Sequence, residues 1–182
     1  IGAYLAAILG NNSVISQLKA DEPFSHSIFR IITGKSDVKP QKARMIEAMI
    51  VASIDHGVTP PSAQATILAA SVRASYEVAI SHGVGVITDV HGGAGEKAAN
   101  FFKQCFELAK REKSSVEKAT QKVISQYVKD GRRIEGMGHR VHTKDPRRDV
   151  LWNMAESTGL SGSCVAISKI VSDLLKAVRG IN

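Results

Sequence analysis

Gly136-Met137-Gly138-His139-Arg140-Val141-His142-Thr143-Lys144-Asp145-Pro146-Arg147 gathers two glycines, two histidines and two arginines into twelve residues, and its proline restarts a helix. Glycine lets a backbone come close to a ligand. Histidine gives or takes a proton near neutral pH. Arginine grips a carboxylate with a planar fork of donors. Together these residues point to an anionic organic substrate held beside acid–base or electrophilic chemistry.

Outward from this stretch the sequence reads almost entirely as helix. Pro40 opens a run over residues 41–55, with Met45, Met49, Ala52 and Ser53 along one face. A proline in a first turn forfeits no bond, because that amide has no partner inside the helix. Pro60-Pro61 open a second run, expected as one helix over residues 62–82 with Gly83 as its C-terminal cap. A third follows Gly92-Gly93 and extends to about Lys113, with Phe101, Phe102, Cys105 and Leu108 at three- and four-residue spacing. Ser114-Ser115-Val116-Glu117 fits a capping box, Ser114 being the cap, for a helix that runs to Asp130 and stops at Gly131. Pro146 starts another helix, to Thr158-Gly159. The last runs from about Ser163 to Arg179. Only residues 84–90 read as a possible strand. With no hairpin alternation and no βαβ rhythm, the fold class is all-α.

The 182 residues suffice for a buried core, as one domain or two small ones. Few aromatics (5%) and many alanines favour closely packed helices. The net charge of +7 is scattered over residues 35–44, 97–122, 129–133 and 140–148. Only the last group is dense, and no aromatics interleave with it as a base-stacking surface requires. An anionic small ligand is therefore expected, and nucleic acid is not. Cys105 and Cys164 lie in apolar helical patterns and are expected as buried free thiols in a reducing cytoplasm. No apolar run reaches about 18 residues, so no membrane span is expected. The apolar start lacks the basic residues of a signal peptide. Both ends read as cuts through a longer protein.

Three of the six histidines stand at helix boundaries beside glycine: His56 in Asp55-His56-Gly57, His91 in His91-Gly92-Gly93-Ala94-Gly95, and His139. Such boundaries leave backbone groups free and give a ligand room. One histidine so placed reads as a cap or packing residue. Three in similar settings read as a site. Two rivals stay open. His139-x-x-His142 suits a metal, although zinc wants a third ligand at a recognisable spacing, and no metal is expected. The glycines after His91 run into a helix start that attracts anions, without the GxxxxGK[ST] pattern of a phosphate loop.

Taken in order, the three histidine sites resemble the citrate synthase family. Asp55-His56-Gly57 is similar to its first motif, His91-Gly92-Gly93-Ala94 to its second, and residues 136–147 to its third, over about residues 24–182. Asp55-His56-Gly57 with Thr59-Pro60-Pro61-Ser62 looks like citryl-CoA lyases and the related module of ATP-citrate lyase. The resemblance implies a two-domain helical fold, truncated here at both ends. Residues 1–91 would belong to the large domain and 92–182 to the small one, in a homodimer with its active site in a cleft. It implies interconversion of citryl-CoA with acetyl-CoA and oxaloacetate. Coenzyme A thioester would be a substrate, with no permanently bound cofactor.

By the same resemblance, His91 hydrogen-bonds the thioester carbonyl and His139 polarises the ketone of oxaloacetate. His56, Arg140 and either Arg147 or Arg148 bind carboxylates. The backbone of Ile134, Gly136, Met137 and Gly138 lies against the coenzyme A adenine. The family's catalytic aspartate belongs to an Asn-x-Asp segment whose start Ile181-Asn182 resembles, so the 182 residues alone are not expected to turn over. The alternatives are a 2-methylcitrate synthase, which differs by a single methylene, and a non-catalytic module that binds coenzyme A or citrate.

Overall fold

The structure, a computed structural model, describes residues 2–55, 57–136 and 145–179. Among them the chain forms α1 (Gly2–Ile8), a 3-10 turn (Asn12–Gln17), α2 (Phe24–Thr33), α3 (Pro40–Ser53), α4 (Pro61–Ser71) and α5 (Tyr76–Gly85). These are followed by α6 (Ala94–Glu112), α7 (Val116–Lys129), α8 (Pro146–Ser157) and α9 (Ser163–Arg179). No strand occurs among the described residues. Among the described residues the only pairing of that kind is an isolated bridge between Thr88 and Gly92. The all-α reading holds.

Packing groups α1–α3 with α8 in one unit, and α4–α7 with α9 in another. This grouping by contact is a different division from a large and a small domain meeting at residue 91.

In the second unit the core lies where α6, α7 and α9 meet. Phe101 and Cys105 on α6, Val123, Ile124 and Tyr127 on α7, and Ile167 and Val171 on α9 are buried together. Their three- and four-residue spacing puts one apolar stripe on each helix. The Phe101 and Tyr127 rings meet edge to face with centroids 5.3 Å apart. Tyr127 hides its ring and satisfies its hydroxyl, which donates to Gln104 Oε1 at 3.0 Å and accepts from Arg132 at 3.2 Å. Burial pushes the Cys105 thiol above its ordinary range, as an inert core residue requires. Cys164 instead lies exposed in the first turn of α9, which corrects the expectation that both thiols are buried.

Three further expectations change. The helix expected over residues 62–82 is two helices. Arg73 takes a left-handed φ of 62° and Ser75 an extended conformation ahead of α5. Gly83 is therefore no cap. It is buried inside α5, where a methyl group would sit 2.1 Å from Thr66 Oγ1 and 3.1 Å from the Ser62 carbonyl oxygen, so it sets how closely α5 approaches α4. The apolar run at residues 84–90 is no strand, because α5 takes its start and a tight turn its end. The cap of α7 is Ser115, whose hydroxyl accepts from the Lys118 amide at 3.3 Å, one residue later than expected. The Ser114 hydroxyl is buried without a partner.

The first unit has a smaller core of Ala6, Val14 and Ile31. Asn11 Nδ2 donates to the Ile31 carbonyl at 2.8 Å and ties the start of the chain to α2. An ion pair joins Glu22 to Arg30, and the hydrogen bond from Arg30 holds the Glu22 carboxyl below its ordinary range. α3 buries Ala43 and leaves Met49 exposed.

Candidate functional site

The best-built feature is the loop between α5 and α6. Its turn closes with the Thr88 amide donating to the His91 carbonyl at 2.9 Å. Gly92 follows at φ +115°, where an added methyl would lie 2.8 Å from Ile87 Cγ2. A methyl on Gly93 would lie 2.3 Å from the Asp89 carbonyl oxygen. The first glycine is required by its dihedral and the second by contact, so both glycines after His91 serve to fold this loop.

The His91 ring meets the start of α4. Its Nε2 lies 2.9 Å from Ser62 Oγ and accepts the Ser62 amide at 3.4 Å. Pro60 and Pro61 carry no N–H, so Ser62 offers the first amide of that helix start. In the neutral tautomer in which Nε2 accepts that amide, the ring proton sits on Nδ1, where it can donate.

Two expected coenzyme A-contacting residues lie in the same unit. Gly136, at φ +76°, stands against the beginning of α6, where a methyl would come within 2.9 Å of Ala98 Cβ and 3.3 Å of the Ala94 carbonyl oxygen. The third motif therefore begins beside the helix that follows His91. The Ile134 side chain packs on the α6–α7–α9 core.

Arg147 and Arg148 belong to the other unit and diverge. Arg147 Nη1 donates to the Ala52 carbonyl at 3.4 Å, in the last turn of α3 and three positions ahead of Asp55. Arg148 grips Asp149 through Nε and Nη2, both at 2.8 Å, with its guanidinium 4.9 Å from the Trp152 ring centre. His56, Met137, Gly138, His139, Arg140 and the His139-x-x-His142 pair lie outside the described residues. Among the described residues no three His, Cys, Asp or Glu side chains are grouped to hold a metal ion. No described helix is long and apolar enough to cross a membrane.

Sequence reasoning missed Ser62 as a partner of His91, and it missed Thr88. The signal for Ser62 was present: it is the first amide donor after two prolines at a helix start. Nothing local linked it to a histidine 29 positions away.

An all-helical chain with a histidine–glycine–glycine loop pinned to a helix start matches one family model, citrate synthase, C-terminal domain, over residues 1–181. The chain belongs to the citrate synthase family. The match includes the first 23 residues, ahead of the stretch where the motifs begin. A citrate synthase from Deinococcus radiodurans is 27% identical over 171 residues, 90% of this chain and 42% of that protein. Citryl-CoA lyase from Hydrogenobacter thermophilus superposes with a TM-score of 0.76 at 29% identity, over 94% of this chain and 64% of that one. ATP citrate lyase from Methanothrix soehngenii, solved with citrate and coenzyme A, gives 0.75 at 22% identity over 92% of this chain and 26% of that one, a likeness of fold. The chain thus spans about two fifths of the curated relative and under two thirds of the lyase.

Proposed function

We propose that this chain is part of an enzyme that makes or breaks the carbon–carbon bond of citryl-CoA, interconverting it with acetyl-CoA and oxaloacetate. The observation that carries the reading is the His91 ring, held through Nε2 by Ser62 at the start of α4 with Nδ1 left to donate. A fixed donor is what an enolate-like thioester oxygen needs, because charge develops there during the reaction. His91 accordingly binds the thioester carbonyl, and His139 polarises the ketone. His56, Arg140 and either Arg147 or Arg148 bind carboxylates. The backbone from Ile134 through Gly138 faces coenzyme A, which acts as substrate carrier with no permanently bound cofactor. Residues 1–91 belong to the large domain and 92–182 to the small one.

A homodimer is part of the same reading. It is supported by α4 and α5, which leave Leu68 71% and Tyr76 77% exposed along with Ile67, Val72 and Val84. An exposed apolar surface of that kind is suited to contact with another protein surface.

The test is citryl-CoA cleavage and citrate formation by the full-length protein, compared with its His91→Gln variant. Loss of one oxyanion donor lowers kcat by on the order of 10²–10³. A full-length protein that binds coenzyme A and citrate but catalyses neither direction is instead a binding module.

A further inference from the structure

We propose that Thr88 is a positioning residue for His91, holding the histidine's main chain while Ser62 holds its ring. The inference rests on the thioester-binding role given to His91 above. The turn from Thr88 to His91 is closed by the Thr88 amide on the His91 carbonyl at 2.9 Å. The Thr88 hydroxyl also reaches back over this turn, its Oγ1 standing 3.3 Å from the Val90 amide and 3.4 Å from the His91 amide. One residue thus engages both the amide and the carbonyl of His91.

The neighbours of His91 show why such a clamp matters. The next two residues are glycines, the least restrained backbone a chain offers, and Gly92 sits at a φ of +115°. On that side Gly92 alone separates the histidine from Gly93, the cap of α6. On the other side stands Thr88, whose β-branched side chain has few rotamers. A displacement of the His91 main chain carries the ring with it. It loosens the contacts of Nε2 with Ser62 and swings Nδ1 away from the oxygen it must meet. The two long bonds from the hydroxyl lie at an exposed turn, where water can replace them, so they orient the loop more than they stabilise the fold.

The experiment uses the full-length protein with Thr88→Val, which keeps the shape and removes the hydroxyl, and Thr88→Ser, which keeps the hydroxyl. Three quantities are read: kcat and KM for citryl-CoA cleavage, the melting temperature, and the imidazole ¹⁵N signals of His91, assigned by their loss in His91→Gln. Thr88→Val should lower kcat by on the order of tenfold with KM little changed, since it disturbs orientation rather than ground-state binding. The His91 signals should pass from a single Nδ1–H tautomer to an averaged pair. The melting temperature should hold, and Thr88→Ser should restore both kcat and the signals. Unchanged kcat and ring signals in Thr88→Val overturn the proposal, as does a Thr88→Ser variant impaired to the same degree. If the wild-type protein cleaves no citryl-CoA, the ring signals still decide the role of Thr88, and the failure belongs to the functional reading alone.

Discussion

Within one packing unit, the α6–α7–α9 core and the α4–α5 pair are built on opposite plans. The first buries large side chains and shows charge to water: Phe101 is 2% exposed, and lysines and glutamates occupy the outer faces. The second meets through its smallest residues, with Ala69, Ala79 and Gly83 inside and large apolar residues outside. A helix apolar on most sides is not a solvent-facing helix. The contrast teaches that the core stabilises this unit, while the pair supplies the Ser62 amide and an exposed apolar surface.

The sharpest way to break the comparison is Phe101→Ala. It opens a cavity in the core and should lower stability by about 3–5 kcal/mol, read by denaturant unfolding. Gly83→Ala comes next. Its methyl would collide with Thr66 Oγ1, so α5 must back away from α4 at a cost of about 1–3 kcal/mol. Because Thr66 also donates to the Ser62 carbonyl at 3.0 Å, this variant should disturb the His91 ring signals, which Phe101→Ala should not do selectively. The smallest effect on folding belongs to Leu68→Gln with Tyr76→Ser. As exposed changes they should alter monomer stability by about 0.5 kcal/mol or less. They should also abolish any concentration dependence of melting and any dimer seen by light scattering. A dimer that survives the double substitution would place association elsewhere.

The same contrast explains what could be read from the sequence. α6, α7 and α9 were legible because apolar residues recur every three or four positions between charged ones. The α4–α5 break was not, since alanine-rich sequence carries no stripe and residues 72–75 contain neither glycine nor proline to mark a turn. The shift of the α7 cap by one residue arose because adjacent serines offer the same chemistry, and only geometry chooses between them. At the candidate site, His91 was visible from the glycines that follow it, and Gly136 from its place ahead of a histidine. Ser62 was hidden because its bond to His91 spans 29 positions, and Thr88 because one hydroxyl in a loop carries no pattern. The different directions taken by Arg147 and Arg148 are likewise invisible in a pair of adjacent arginines.

The two prolines ahead of Ser62 carry a consequence in time. Their peptide bonds are trans here, yet in an unfolded chain each X–Pro bond is cis in roughly 10–30% of molecules and turns over in tens to hundreds of seconds. The α6–α7–α9 core contains no proline and can close without waiting for them. Ser62 cannot meet His91 until both bonds are correct. In molecules that start with a wrong isomer, the core therefore forms first and the histidine is seated later, on a clock that a prolyl isomerase would shorten.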